Sequence, residues 1–271
     1  MPLHDVDTSD PTMAQAAAIG PGAGGGREDG GEAQKRAYVR ATFSQIAPRY
    51  DLLNHLLSFN IDRAWRRRAL DALEWRREAT GTYLDLCAGT LDVSAMLAGA
   101  HGFAGFVIGA DFAEPMLRAG VGKASADVVA PLTADALDLP LATNSVSGAI
   151  VAFGIRNVAN LDEGLREVHR VLRPAGRFVI LEFTTPKSRL VRAVYHLYFH
   201  HLLPIVGRMV SGHKTAYEYL PQSVANFAVE NALADRMGSA GFIDVRWKTL
   251  SLGIAAIHVG TKPAVAGRSV R

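Results

Sequence analysis

The sequence predicts an α/β fold built on a doubly wound, mostly parallel sheet of seven strands. Short apolar runs alternate with helical patterns from residue 83 onward, which indicates parallel strands joined by right-handed crossovers. The runs at 83–87 and 105–111 each carry an acidic residue, and each precedes a helical pattern. A chain of 271 residues with 49% apolar composition can fill the core of one domain, expected at 36–264.

The amino-terminal part of the chain differs in composition from the sheet region. Residues 1–35 are rich in Gly, Ala, Pro and Asp without periodicity and are predicted to be a disordered tail, and 265–271 form a second tail. The segment 36–78 has helical spacing interrupted at Pro48, which predicts a helical lid. A cluster of basic residues in it is interpreted as a solvated helix face, with an anionic lipid contact as the alternative: Arg63, Arg66, Arg67 and Arg68.

The second half of the chain supplies the rest of the sheet. A helical insertion at 187–230 follows the fifth strand, and its apolar, aromatic sequence predicts either a buried helix hairpin or an amphipathic surface that admits a lipid-soluble substrate. The last two strands are expected to pair antiparallel at a sheet edge. The third to seventh strands are expected, in chain order, at 127–133, 146–153, 176–183, 245–249 and 255–261. Helices are expected at 161–172 and 232–241.

Charge and cysteine content limit the classes of partner. A formal charge of +3 is too small to indicate a nucleic-acid partner, whereas a basic surface facing an anionic membrane stays open. The single cysteine, Cys87, is expected to be a buried mid-strand residue, and a lone cysteine favours the cytoplasm. Because no apolar run could span a bilayer, we expect a cytoplasmic protein with peripheral contact at the inner face of the membrane. His196 and His200 lie four apart without the glutamate of a zinc motif, so no metal site is predicted.

Acidic and small residues follow the first three strands, where a doubly wound sheet binds its ligand. The turn Ala88-Gly89-Thr90 lets backbone amides approach a ligand closely. Asp111 ends the second strand, where a carboxylate can accept both hydroxyls of a ribose. Asp135 and Ala136 follow the third strand, from which a carboxylate and an amide can address an adenine edge. The pattern predicts a cofactor that contains adenosine.

The acids around the first turn distinguish two classes of adenosine cofactor. A dinucleotide requires a glycine-rich turn and a helix amino terminus directed at the pyrophosphate, whereas this loop has one glycine followed by Leu91 and Asp92. Asp85 and Asp92 would repel a pyrophosphate but suit the cationic sulfonium and amine of S-adenosylmethionine. The loop therefore predicts an S-adenosylmethionine site.

Several long motifs, in order along the chain, resemble one known family. Tyr50-Asp-Leu-Leu-Asn-His-Leu-Leu-Ser58 with Trp65 resembles one family signature, and Arg170-Val-Leu-Arg-Pro-Ala-Gly-Arg-Phe-Val-Ile-Leu-Glu182 resembles the other. Further similar blocks lie at 153–157, 217–223 and 253–258. From about residue 39 to 262 the chain resembles the C-methyltransferases of ubiquinone and menaquinone biosynthesis, which are class I S-adenosylmethionine-dependent enzymes. The resemblance implies C-methylation of a prenylated, lipid-soluble quinol, either demethylmenaquinol or a related benzoquinol.

The same resemblance implies roles for individual residues. Arg156 is expected to be the electrostatic partner of a phenolate, through a water that relays the proton, and Asn157 is expected to be a positioning group. Tyr50 and Asp51 are expected to close over the substrate, with Asp51 as an alternative general base. The remaining residues are expected to contact the substrate ring (Asn54, Tyr217, Tyr219) or to complete the cofactor site (Phe112, Met116, Phe153).

Three positions depart from the family pattern. The family has Asp-x-x-Gly-Gly-Thr-Gly-Asp, and Ala88 and Leu91 replace two of those glycines here, while Asp62 replaces a histidine of the first signature. We expect the Leu91 backbone to be ordinary and its side chain to point away from the cofactor, because otherwise cofactor affinity would fall. Two other functions stay open: methylation of oxygen or nitrogen in another small molecule, and a non-catalytic subunit of a quinone-synthesis complex. The ring type, the prenyl length and a homodimeric state are also open.

Overall fold

The structure is a computed structural model that describes residues 28–46, 58, 60–197, 223–224 and 226–264. The predicted amino-terminal tail and the tail at the carboxyl end therefore fall largely outside the described residues. No helix in the described ranges is long and apolar enough to cross a membrane.

Within the described residues, three helical elements precede the sheet. Helix α1 (Glu28–Ile46) begins earlier than the expected start at residue 36. Helix α2 (Ile61–Leu73) ends at a residue in the left-handed conformation, and a short 3₁₀ helix follows at Trp75–Glu78. The apolar side of α2, which includes Trp65, packs against the central strands of the sheet. The four arginines of the predicted basic cluster therefore lie in the first two-thirds of α2, and no basic residue lies in its last turn.

Seven strands form a single sheet with helices between them, which confirms the predicted fold class. The strands are β1 (Thr82–Leu86), β2 (Phe106–Asp111), β3 (Val129–Thr133), β4 (Val146–Ala152), β5 (Leu172–Phe183), β6 (Ile243–Leu250) and β7 (Ala255–Thr261). The helices after β1 are α3 (Asp92–Ala98), α4 (Glu114–Gly120), α5 (Leu161–Val171), α6 (Arg189–Leu197) and α7 (Glu230–Ser239). The strand order is β3-β2-β1-β4-β5-β7-β6.

The direction of the strands agrees with the prediction. Strands β1 to β5 pair in parallel, whereas β7 runs antiparallel to both β5 and β6. The two terminal strands thus form the expected antiparallel pair, with β6 at the sheet edge. Strand β5 begins earlier than predicted because Leu172 pairs with Val146 ahead of a bulge, in which Ala175 has a φ of 63°. Strand β3 and helix α7 differ from their expected starts by a few residues.

The central strands are mostly apolar because helices cover both faces of the sheet. One face packs against α2 and α3 and contains Trp65, Leu97 and Val179. The other packs against α5 and α7 and contains Leu165 and Met237. This two-sided burial fixes the positions of the strand ends, where the cleft lies.

Candidate active site

A cleft lies at the carboxyl ends of β1, β2 and β4, where the order of the sheet reverses. Parallel strands bring the residues that follow them to this one edge, so residues far apart in the sequence meet here. Of the predicted cofactor and catalytic residues, eight line the cleft: Gly89, Asp111, Phe112, Met116, Asp135, Ala136, Phe153 and Asn157. The cleft therefore brings together most of the site predicted within the described residues.

The turn after β1 has an unusual backbone. Cys87, Gly89 and Leu91 all have positive φ values, of 53°, 53° and 63°. The turn is held by hydrogen bonds from Ala88 N to Ala110 O (3.0 Å) and from Gly89 N to Asp111 Oδ2 (2.9 Å). Cys87 was expected within the strand but follows its end and lines the cleft. Burial and nearby carboxylates raise the pKa of its thiol well above the ordinary value, so Cys87 is a protonated wall residue.

The carboxylates of Asp111 and Asp135 both line the cleft. Asp111 accepts hydrogen bonds from Gly89 N and from Ala113 N (2.8 Å), and burial raises the pKa of its carboxyl group. Asp135 accepts from Leu137 N at 3.0 Å and lies 3.5 Å from the guanidinium of Arg36. Each carboxylate oxygen has more than one lone pair, so both groups can accept further hydrogen bonds.

The walls between these carboxylates are apolar and suit a planar base. Phe112, Met116, Ala136 and Val158 line the cleft around the carboxyl ends of β2 and β3. Apolar walls with a few directed polar groups are typical of small-molecule sites. Two hydrogen-bond acceptors between apolar walls, the carboxylates of Asp111 and Asp135, fit the adenosine part of S-adenosylmethionine.

The two acids predicted to face the sulfonium are used within the protein. Asp85 is buried, and its Oδ2 accepts hydrogen bonds from Ser94 N (2.9 Å) and Ser94 Oγ (2.7 Å). Asp92 lies 2.6 Å from Lys123 Nζ and 3.1 Å from Arg66 Nη1. Neither is among the described residues that line the cleft, and the same holds for Ala88 and Thr90. Asp85 fixes the end of β1 to Ser94 of α3, and Asp92, the first residue of α3, ties that helix to Arg66 and Lys123.

Burial of Asp85 makes a prediction about stability and pH. Desolvation raises the pKa of Asp85 to about 7 from 3.8, against the lowering effect of the Ser94 hydrogen bonds. Between these values the folded state binds more protons than the unfolded state, so stability falls as pH rises through this range. Asp85→Asn keeps an acceptor for Ser94 and removes the titration. We expect the wild type to lose on the order of 1–4 kcal/mol relative to D85N across this range.

Urea unfolding of both proteins at a series of pH values measures this difference. Other titrating groups cancel in the comparison, because the two chains share them. Parallel stability profiles for the two proteins would show that Asp85 is not titrating in this range.

Leu91 corrects one prediction and confirms another. Its backbone is in the left-handed region, so the expectation of an ordinary φ was wrong. Its side chain is 4% exposed and packs away from the cleft, as predicted. An added Cβ at Gly109 would lie 2.3 Å from Leu91 Cδ2, so the leucine fills the space beside this glycine. Packing therefore holds Leu91 in a conformation that costs a non-glycine residue roughly 1–2 kcal/mol.

Glycine and alanine at position 91 separate packing from backbone strain. Leu91→Ala should lose about 2–4 kcal/mol of stability, because the cavity remains and the strain persists. Leu91→Gly should lose about 1 kcal/mol less than L91A, because glycine adopts this φ without strain. Both should bind S-adenosylmethionine within about threefold of the wild type by calorimetry, since the side chain does not line the cleft. Much tighter binding by L91G would mean that the leucine hinders the cofactor.

Arg156 belongs to a buried ion pair beside the cleft. Its Nη1 donates to Glu182 Oε1 at 2.7 Å and to Phe153 O at 2.5 Å, and its Nε donates to Ser223 Oγ at 3.3 Å. Within the described part of the chain, Nη2 has no partner. Glu182 is fully buried, and desolvation raises the pKa of its carboxyl group despite the opposing charge of Arg156. The pair joins the 3₁₀ turn Ile155–Asn157 to the end of β5.

An aromatic cluster supports the other side of the cleft. Phe153 lines the cleft with a φ of 63°, which is strained for a bulky residue. Its ring centroid lies 4.5 Å from that of Phe183 and 6.1 Å from that of Trp65. The following Gly154 is required because a Cβ there would lie 2.3 Å from Cys87 Cβ. Tight packing between the β1 and β4 turns thus holds Phe153 and Asn157 in place.

Helix α1 supplies a wall that the residue-by-residue prediction did not name. Arg36, Val39 and Phe43 line the cleft, and Phe43 packs against Met116 and Ala113 of the β2 turn. Lys35 Nζ donates to Val158 O at 2.7 Å. The spacing of Val39 and Phe43 on one helix face was a signal for packing, but it did not show what the face packs against.

Arg66 was predicted on a solvated helix face and is instead buried. It pairs with Asp92 and with Asp62, whose Oδ2 lies 3.5 Å from Arg66 Nε, and its guanidinium lies 5.9 Å from the Phe153 ring centroid. Asp62, which replaces a family histidine, also accepts from Ser58 Oγ at 2.6 Å. The acid at position 62 therefore serves as a partner for Arg66.

The remaining predicted catalytic and substrate-binding residues fall outside the described ranges: Tyr50, Asp51, Asn54, Tyr217 and Tyr219. Among the residues that the structure describes, no group of three or more His, Cys, Asp or Glu side chains could hold a metal ion. His258 is buried in the core, where its Nε2 lies 2.9 Å from Glu230 O.

Comparison with known proteins agrees with this geometry. The sequence profile of the ubiE/COQ5 methyltransferase family matches residues 31–262. A demethylmenaquinone methyltransferase from Thermus thermophilus is 48% identical, over 82% of this chain and 100% of the relative. The corresponding enzyme from Deinococcus radiodurans is 42% identical, over 88% of this chain and 96% of the relative.

Solved structures agree on the fold. A SAM-dependent methyltransferase from Thermotoga maritima has a TM-score of 0.56 at 20% identity, covering 82% of this chain and 98% of the other. A phosphoethanolamine N-methyltransferase from Haemonchus contortus, in complex with S-adenosyl-L-methionine, has a TM-score of 0.54 at 15% identity, covering 73% and 52%. The chain therefore belongs to the ubiE/COQ5 methyltransferase family and is a methyltransferase that uses S-adenosylmethionine.

Proposed function

We propose that the protein methylates a ring carbon of a prenylated quinol, demethylmenaquinol or a related benzoquinol, in respiratory quinone biosynthesis. The observation that carries this proposal is the 48% identity, over the full length of the relative, to a protein named demethylmenaquinone methyltransferase. The cleft is consistent with it, because it combines the carboxylates of Asp111 and Asp135 with the ring of Phe153 and the amide of Asn157, while Arg156 lies beside the cleft.

The cofactor is held by residues at the ends of β1, β2 and β3. In this proposal Asp111 accepts hydrogen bonds from the ribose hydroxyls, and Asp135 and Ala136 meet the base edge. Phe112 and Met116 form the apolar walls. Asp85, Ala88, Thr90 and Asp92 act through the shape of the loop, which lets the Gly89 backbone approach the ligand. Bound S-adenosylmethionine would supply an electrophilic methyl group to the ring carbon of an ionised quinol, with S-adenosylhomocysteine as the leaving group and loss of the ring-carbon proton to restore the aromatic ring.

The residues after β4 favour ionisation of the quinol. A ring carbon becomes nucleophilic when the neighbouring hydroxyl loses its proton, so the protein must stabilise a phenolate. Arg156 is fixed by Glu182, Phe153 and Ser223 and keeps its Nη2 hydrogens for the phenolate or for a water that relays its proton. Asn157 lines the cleft and positions the ring. An arginine held by a carboxylate stays charged, so it acts as an electrostatic partner and the relayed proton leaves through water.

Residues outside the described ranges complete the substrate side of this proposal. Tyr50 and Asp51 close over the quinol, with Asp51 as an alternative base, and Asn54, Tyr217 and Tyr219 contact its ring. The enzyme works in the cytoplasm at the inner face of the membrane, where a prenylated quinol is available. A homodimer stays a prediction, which sedimentation analysis of the purified protein tests.

Product analysis tests the proposed reaction. The purified protein is incubated with S-adenosylmethionine and a reduced demethylated quinol of short prenyl length, as a naphthoquinol and separately as a benzoquinol. Mass spectrometry should detect one added methyl group, and NMR should place it on a ring carbon. A methyl group on oxygen, or no transfer to either quinol while S-adenosylmethionine still binds, would exclude the proposed acceptor.

A further inference from the structure

A second groove lies away from the cofactor cleft, between helix α2 and the edge strand β6. It encloses about 650 Å³, a size within the range of small-molecule sites. Its floor is apolar and is formed by Leu250, Ile257 and Val259, on the sheet face that α2 covers only in part. The proposed methyl transfer assigns no role to this groove.

The walls of the groove are basic. Four cations line it, Arg68, Arg177, Arg246 and Lys248, against a single acid, Glu74. Arg177 is paired with Glu74 and also donates to Ala72 O at 3.2 Å. Arg68, Arg246 and Lys248 are exposed and have no partner within the described ranges. An apolar floor with an excess of three positive charges is complementary to an anionic amphiphile.

An exposed leucine stands at one end of this groove. Leu252 follows the groove residue Ser251 in the short turn Ser251–Gly253 and is 79% exposed, with a φ of 60°. The turn is held in place: Trp65 Nε1 donates to Ser251 Oγ at 2.9 Å, and Thr184 Oγ1 donates to Gly253 O at 2.7 Å. Single exposed apolar side chains are common, so Leu252 supports the proposal only through its fixed position next to the basic groove.

We propose that this groove binds the phosphate headgroup of an anionic phospholipid and that Leu252 enters the bilayer interface beside it. Charged side chains on an edge strand also prevent unwanted strand pairing, which would account for Arg246 and Lys248 alone. That explanation leaves out Arg68, which is on α2 and meets the same groove. Arg177 is held by Glu74, and a lipid headgroup accounts for the three remaining cations and for the leucine.

The position of Leu252 relates the groove to the catalytic edge. Leu250 pairs with Ala255 at the end of β7 that meets the carboxyl end of β5, so Leu252 is at the same edge of the sheet as the cofactor cleft. Docking through the groove would therefore bring the cleft towards the membrane. This orientation, unlike lipid binding itself, rests on the proposed quinol substrate.

Vesicle sedimentation with the full-length protein tests the proposal. The protein should bind phosphatidylcholine vesicles that contain phosphatidylglycerol and should not bind vesicles of phosphatidylcholine alone. Arg246→Glu with Lys248→Glu should weaken binding by about tenfold or more, because each basic residue near an anionic surface contributes substantially. The matched control is Arg40→Glu with Arg166→Glu, the same charge change on exposed helix positions away from the groove. Equal loss in both double variants would mean that only overall charge matters and would overturn the proposal.

Further measurements test the role of Leu252, identify the source of the anion and separate membrane docking from methyl transfer. Leu252→Ser should weaken vesicle binding without changing thermal stability, and wild-type binding by L252S would overturn the role of the leucine. Displacement of the protein from vesicles by millimolar glycerol 3-phosphate would assign the groove to a soluble phosphate. Loss of DNA binding in the groove variant, with vesicle binding retained, would assign it to nucleic acid. Methyl transfer to a short-chain quinol without vesicles should be unchanged in all variants, which separates failure of docking from failure of the proposed function.

Discussion

Asp111→Asn is expected to weaken the binding of S-adenosylmethionine by about a hundredfold or more. In the proposed cofactor site this carboxylate accepts hydrogen bonds from both ribose hydroxyls, and hydrogen bonds to a charged acceptor are worth roughly 1.5–3 kcal/mol each. Asparagine replaces one acceptor with a donor, which then faces either the ribose or the backbone N–H groups of Gly89 and Ala113.

Calorimetric titration with S-adenosylmethionine measures this loss directly. Asp127→Asn is the matched control, because Asp127 is an exposed acid that does not line the cleft. A thermal melt of each variant shows whether the turn after β1 survives. Binding by a folded D111N within about threefold of the wild type would remove Asp111 from the cofactor site.

Arg156→Ala should reduce both stability and turnover, for two separable reasons. It leaves Glu182 buried without its cation, which costs about 3–5 kcal/mol of stability. It also removes the positive charge that we propose stabilises the phenolate, which should lower turnover by about 100- to 1000-fold. Arg166→Ala, at an exposed position of α5, should change neither quantity.

The double variant R156A/E182Q separates these effects. The glutamine still accepts hydrogen bonds from the backbone and carries no charge, so much of the stability lost in R156A should return. Turnover should stay low if Arg156 contacts the reacting quinol. Recovery of turnover together with stability would show that Arg156 only positions the β4 turn, and that the phenolate is stabilised by another group.

The sheet could be predicted because local pattern and overall fold agree along it. Alternating apolar runs and helical patterns determine parallel strands, and parallel strands place Asp111, Asp135 and Asn157 at one edge. Residues that line the cleft because they directly follow a parallel strand could therefore be predicted from their position in the sequence. Exact strand ends, such as the early start of β5 at Leu172, depend on pairing with another strand and were not accessible from local pattern.

Contacts between distant segments explain the errors. Arg66 has the spacing of a surface arginine. Asp92 and Asp62 lie beside it only after folding, and their negative charges offset the desolvation cost of burying it. Leu91 was expected to avoid positive φ because intrinsic preference disfavours it, yet packing against Gly109 outweighs that preference. The pairing of Arg156 with Glu182 likewise joins two strand ends that are 26 residues apart.

The contact between Leu91 and Gly109 also constrains the order in which this turn can change during divergence. A side chain at position 109 would collide with Leu91, whereas the other nearest groups, Ser94 Oγ and Ala88 Cβ, lie 3.1 and 3.4 Å from the added Cβ. Alanine at 109 therefore requires either a shift of the Leu91 side chain, which is 4% exposed, or a smaller residue at 91. The two positions form an epistatic pair, in which each accepted substitution depends on the residue already present at the other site.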